Sequence, residues 1–124
     1  MMNPDNLKYT KEHEWAKIDG DAALVGITRH AAESLGDIVF VELPKVGREF
    51  LRGAEFGVVE SVKSVSSLYL PVSGTVEEVN TAVKEKPELI NSDPYGAWLV
   101  KIKIKDPGEL NSLLSAADYQ KLLG

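Results

Sequence analysis

The chain has 124 residues, with 14 Lys+Arg against 19 Asp+Glu, a formal net charge of -5, two His and no Cys. That length fits a single domain spanning 1–124, and 44% hydrophobic with 27% charged residues supplies a core and argues against general disorder. An acidic balance without a dense Lys/Arg run speaks against a nucleic-acid surface, and the lack of Cys removes disulfides, thiolate nucleophiles and Cys-ligated zinc.

At the N-terminus, Met1-Met2-Asn3-Pro4-Asp5-Asn6 has neither the basic-then-apolar pattern of a signal peptide nor an Arg-rich amphipathic one. No apolar run in the chain approaches membrane-spanning length, so the expected setting is the cytoplasm. Gly and Pro recur at short intervals through Pro107, and the segments between them read mostly as strands, which predicts a mainly β body. Glu14 to Ile18, the turn signal Asp19-Gly20-Asp21 and Ala22 to Ile27 make a local hairpin. Thr28 caps a short helix over Arg29 to Leu35, with Ala31, Ala32 and Leu35 on one face and Gly36 at its stop.

Asp37 to Leu43, ended by Pro44, and Ala54 to Glu60 are β-branched runs that read as core strands, joined by the turn-rich Val46 to Gly53. Further strands are expected at Leu68 to Leu70, at Thr75 to Val79 and at Leu99 to Ile104. In the last of these, Val100, Ile102 and Ile104 alternate with Lys101, Lys103 and Lys105. Trp15, Phe40, Phe56 and Trp98 are read as core or surface-packing aromatics and not as cofactor contacts. From Asp106 the period becomes helical: Pro107 suits a first helical position, and Leu110, Leu113, Leu114 and Ala117 share a face. The span 106–123 is therefore expected as a helical tail, with a possible break near Ser115.

The segment Val58 to Val76 draws the functional reading. If Val58-Val59 ends one strand and Leu68 begins the next, the small polar residues Ser61 to Ser67 form the bend and Lys63 stands at its tip, its amine in water. A hairpin lysine is by default a solvated surface charge. His13 and His30 are far apart in sequence and suggest no metal site. No Cys, no His pair and no glycine-rich phosphate loop supports a catalytic constellation, so no catalytic residue is assigned.

Glu60-Ser61-Val62-Lys63 with Pro71-Val72-Ser73-Gly74 resembles the modification hairpin of the lipoyl and biotinyl carrier family, and most closely that of the glycine cleavage H proteins. The resemblance extends through Leu7-Lys8-Tyr9-Thr10, His13-Glu14-Trp15, Val25-Gly26-Ile27-Thr28, Leu35 to Val39, Val41-Glu42-Leu43-Pro44 and Pro87 to Tyr95, which covers nearly the whole chain. It implies a flattened barrel or sandwich of two small antiparallel sheets, with lipoate joined by an amide bond to Lys63. It also implies a non-enzymatic carrier cycle. A glycine decarboxylase (P protein) loads an aminomethyl group on the arm, an aminomethyltransferase (T protein) passes its carbon to tetrahydrofolate, and a dihydrolipoyl dehydrogenase (L protein) reoxidises the dithiol. An H-like carrier for lipoate relay or sulfur oxidation, and an unmodified β scaffold for protein binding, are the alternatives.

By the same resemblance, Glu60 and Gly74 match positions associated with recognition by the lipoate-attaching enzyme, and Glu14 matches one lining the cleft that receives the loaded arm. Each has a plainer reading: Glu60 as a strand-end charge, Gly74 as a residue of turn geometry. The chain departs from the family pattern at Pro94-Tyr95-Gly96-Ala97-Trp98, which is one residue short, at Ser64 after the lysine, and at Leu70 before Pro71. The last two are expected near the surface that docking enzymes meet.

Overall fold

The computed structural model describes residues 3–124. Nine short strands dominate: β1 (Lys8–Tyr9), β2 (Glu14–Asp19), β3 (Ala22–Ile27), β4 (Ile38–Glu42), β5 (Glu49–Phe50), β6 (Glu55–Ser61), β7 (Val65–Tyr69), β8 (Gly74–Val79) and β9 (Val100–Ile104). Four short helices accompany them: α1 (Arg29–Leu35), α2 (Thr81–Glu85), α3 (Leu89–Ser92) and α4 (Ala116–Leu123). No described helix is long and apolar enough to cross a membrane.

The strands form two antiparallel sheets, one ordered β1-β2-β3-β9-β8-β5 and the other β4-β6-β7. Alternation decides which side of each strand is dry. Val25, Val76 and Ile102 of the larger sheet share one core with Val41, Val59 and Leu68 of the smaller. The two-sheet architecture expected from the sequence is therefore present, as an open sandwich and not a closed barrel. A second cluster of Leu7, Tyr9, Trp15, Ala116 and Tyr119 fastens α4 to β1, where the Tyr9 and Tyr119 rings stack with centroids 4.8 Å apart.

Local signals in the sequence work where they are self-contained. The β2–β3 hairpin turns through Gly20-Asp21, and α1 begins with the Thr28 hydroxyl accepting from Ala31 N–H at 3.2 Å. The helix ends at Gly36, whose φ of 78° lets its N–H donate to the Ala32 carbonyl at 3.1 Å.

Two expectations are corrected, and of the four aromatics Phe40 proves to be a surface one. A bulge between Ile38 and Phe40 breaks the alternation of β4 and turns both Val39 (54% exposed) and Phe40 (48%) to solvent, while Trp15 and Phe56 are buried and Trp98 is half-buried. The bend after Ser61 is shorter than read, because β7 starts at Val65 and absorbs Ser66 and Ser67. The tail is helical in two pieces that part before Ser115, where a break was expected, but the first piece does not keep the α period read through Leu110, Leu113 and Leu114. Asp106 caps a 3-10 turn over Pro107–Ser112, and Leu114 then exchanges two backbone hydrogen bonds with Tyr9, both 2.8 Å, which holds the chain extended until Ser115 caps α4. Beyond what was read, β1 pairs with β2, β5 adds two residues to the sheet edge, and α2 and α3 fill the span between β8 and β9.

Candidate functional site

The β6–β7 hairpin carries Lys63 on a two-residue loop, Val62-Lys63, between Ser61 and Ser64. Two-residue loops ordinarily rely on left-handed residues, and neither loop residue here has positive φ. Ser61 takes over that task. Its N–H donates to the Ser64 carbonyl at 2.8 Å, and its buried hydroxyl oxygen accepts from the N–H groups of Lys63 (3.3 Å) and Ser64 (3.1 Å). Val62 N–H is tied to the Asp37 carbonyl at 3.0 Å, which anchors the tip to the start of β4. Lys63 itself is exposed, and its Nζ has no hydrogen bond or ion pair among the described residues. Removing the Ser61 hydroxyl in Ser61→Ala is expected to loosen the tip by about 1 kcal/mol, seen as roughly fivefold faster amide exchange at Lys63 and Ser64 with global stability nearly unchanged. Unaltered exchange at those two amides would remove the role given to Ser61.

Glu60 lies on the outer face of the small sheet, in one row with Phe40 and Val65. Gly74 is on the other sheet, at the start of β8. A Cβ there would stand 2.1 Å from the Lys103 carbonyl oxygen and 2.5 Å from Ile102 Cγ2, so close approach of β9 accounts for the glycine. Leu70, expected near the docking surface, is instead a core residue at 2% exposure, whereas Ser64 is exposed.

Glu14 is buried at the start of β2, 2% exposed. Its carboxylate accepts from the Thr10 hydroxyl at 2.8 Å and, more weakly, from Tyr69 N–H at 3.4 Å. Burial pushes this carboxyl up to about 7, against the pull of those two donors. Tyr69 ends the strand that begins just after Lys63, so Glu14 and Lys63 mark the two ends of β7. The six-residue separation amounts to roughly 20 Å of extended chain. An open groove of about 320 Å³ runs beside this corner, walled by Thr10, Lys11, Glu12, Arg52, Leu70 and Leu114; Glu14 stands behind Thr10 and does not line it.

Sequence distance hid the support of this corner. His13 adopts φ 71°, and its Nδ1 is 2.7 Å from the hydroxyl of Tyr119, which is itself 2.8 Å from the Thr28 hydroxyl. His13 and His30, distant in sequence, are neighbours with ring centroids 4.6 Å apart. Among the described residues no group of three or more His, Cys, Asp or Glu could hold a metal ion. The Asp93–Trp98 segment, read from the sequence as one residue short, closes as a tight turn in which the Asp93 carbonyl accepts from Ala97 N–H at 2.9 Å and the Pro94 carbonyl from Trp15 Nε1 at 3.0 Å.

Comparison with known proteins places this arrangement. The family model described as glycine cleavage H-protein matches residues 7–124. A glycine cleavage system H protein of Carboxydothermus hydrogenoformans is 58% identical over 121 residues, covering 97% of this chain and 93% of the relative. The corresponding protein of Symbiobacterium thermophilum is 57% identical over 117 residues, 94% of this chain and 91% of the relative. The crystal structure of a glycine cleavage system H protein from Mycobacterium marinum superposes with a TM-score of 0.90 at 45% identity, covering 98% of this chain and 99% of that one. A match of sequence over nearly the full length, on the same two-sheet frame, leaves one assignment: the chain belongs to the glycine cleavage H-protein family.

Proposed function

We propose that Lys63 is the lipoyl-bearing residue of this carrier and that the chain serves the glycine cleavage system. Proteins of the family are non-catalytic and hold their lipoate on a lysine. The observation that carries the reading to Lys63 is its place: an exposed amine with no partner, on a short loop locked by Ser61 and mounted on a packed sandwich. Acylating such an amine removes a charge without leaving any buried partner unpaired, so the residues present fit the group. When bound, the lipoyl group would supply a dithiolane that can take up a one-carbon amine unit on one sulfur with reduction of its S–S bond; both sulfurs would be free thiols only after that unit has been passed on, and reoxidation would restore the disulfide.

The chain's own contribution is mounting and reception. Ser61 fixes where the arm leaves the backbone, and the two sheets keep that point rigid while the bulk of the protein stays outside the enzymes visited. We assign those visits to the P, T and L proteins in turn, in the cytoplasm. Glu14 supplies a buried acceptor for a cationic amine delivered to the far end of β7. Glu60 is the candidate recognition residue for the lipoate-attaching enzyme; Gly74 contributes by setting where β8 leaves the hairpin.

Incubation with a lipoate-attaching enzyme, lipoate and ATP is expected to give a single lipoyl adduct on the Lys63 peptide, read by mass spectrometry, and none in Lys63→Arg. An adduct elsewhere, or none on the folded wild-type chain, would overturn the reading.

A further inference from the structure

Four of the large apolar side chains exposed on this molecule gather at one place: Val39 (54% exposed), Phe40 (48%), Val62 (72%) and Val65 (65%). The register explains the grouping. Phe40, Glu60 and Val65 lie in one row across β4, β6 and β7, Val39 is the residue the bulge adds beside them, and Val62 precedes Lys63 on the loop. A solvent-facing bulge that turns out two successive apolar residues gains nothing for the folded chain alone. The charges nearest the ridge are mostly acidic. Asp37 just before β4, Glu42 at its end and Glu60 between Phe40 and Val65 stand beside the single Lys63 of this sheet, and none of those carboxylates is within ion-pair distance of a cation among the described residues. Lys101, Lys103 and Lys105 belong to the other sheet and its end.

We propose that this ridge is the footprint of the enzyme that acylates Lys63, and that the enzyme meets it with an apolar rim around its active-site mouth, flanked by Lys or Arg. The inference rests on the carrier reading. Acylation singles out this occupant because the reacting atom is Nζ itself, at the end of a four-carbon stem lying across Gly36, with Cε 3.5 Å from where a Cβ of residue 36 would stand. An active site that reaches Nζ must press against both flanks of the loop. Enzymes acting on the far end of a completed arm stand off by the length of that arm.

The chemistry also favours a dry collar. The neutral amine attacks the acyl carbon of an activated lipoate, an acyl-phosphate mixed anhydride. A C–N bond forms, the C–O bond to phosphate breaks, the phosphate monoester leaves with the electron pair, and the amine proton passes to a base or water. Covering the stem with apolar surface keeps water away from the activated acyl group. The acidic border meets a basic rim and supplies orientation and speed of encounter.

The test compares Phe40→Ser, Val65→Ser and the distant control Leu51→Ser, itself 69% exposed, as substrates of a lipoate-attaching enzyme supplied with lipoate and ATP. Each ridge variant is expected to lose about tenfold in kcat/KM, chiefly through KM, as central apolar contacts do at interfaces. The control is expected to match wild type, and acetylation of Lys63 by a small water-soluble active ester to proceed equally in all. Wild-type kcat/KM should fall with added KCl, less steeply in Glu60→Gln. Ridge variants acylated at the wild-type rate would overturn the footprint while leaving the carrier reading intact, and so would an equal loss in Leu51→Ser. Absence of any adduct on wild-type Lys63 is the separate result that removes the carrier reading and the footprint with it.

Discussion

Gly74→Ala is expected to destabilise the fold by about 3 kcal/mol, lowering Tm by on the order of 10 °C. The new methyl would meet backbone, with the Lys103 carbonyl oxygen at 2.1 Å and its carbon at 3.0 Å, so no side-chain rotation relieves the contact. Nor can β8 simply step aside. Gly74 is paired on one side with Ile104 of β9 and on the other with Phe50 of β5. Just before it, Ser73 is pinned by Glu109, which accepts from its N–H at 2.7 Å and its hydroxyl at 2.8 Å. Thermal unfolding checks the size of the effect, and a variant melting within about 2 °C of wild type would show that the strands yield. The same variant separates two meanings of a glycine in a modification motif. If Gly74 acts by packing, the fraction of Gly74→Ala that remains folded at low temperature is lipoylated at the wild-type rate. A stable but poorly modified variant would instead mean direct contact with the attaching enzyme.

What the sequence made legible was whatever a few neighbouring residues decide. The β2–β3 hairpin, α1 between Thr28 and Gly36, and the Val/Ile–Lys alternation of β9 each carry their turn, cap or period within the element. Pairings such as β3 with β9 and β5 with β8 depend on which apolar faces meet in space, and no local signal encodes that. Which side Phe40 faces was not legible, because one bulge reverses the side and composition cannot show a bulge. The support of Glu14 was hidden for the same reason: His13 and Tyr119 touch across 106 positions. Lys63 is a different case. As a lone exposed lysine it has no physical mark of modification, and only its resemblance to a known hairpin singled it out. The structure adds the Ser61 lock, a signal within Glu60-Ser61-Val62-Lys63 that becomes meaningful once the loop length is known.

Glu14→Gln is expected to raise stability at neutral and alkaline pH and to leave it unchanged in acid. The Glu14 carboxyl moves from an ordinary 4.5 to about 7 on folding because it is buried. The folded state therefore binds the proton more tightly than the unfolded state. Protonated, the residue is no burden below pH 4.5. As pH rises through 7 its ionisation weakens the fold, by up to roughly 3 kcal/mol once both states are charged. Glutamine keeps an oxygen for the Thr10 hydroxyl and never ionises, so urea unfolding should find the variant equal to wild type at pH 4 and more stable at pH 8. His13 works in the opposite direction. Burial first, and His30 second, push it below its usual 6.5, so its contribution is present above that value and is lost on acidification. In wild type the two effects oppose each other over pH 5 to 7 and flatten the profile; in Glu14→Gln the His13 slope should stand alone, with stability falling below about pH 6.5. Parallel profiles for the two proteins would mean that Glu14 does not titrate across this range. A cationic amine brought beside the ionised Glu14 carboxylate would reverse the sign of its contribution, which glutamine cannot do.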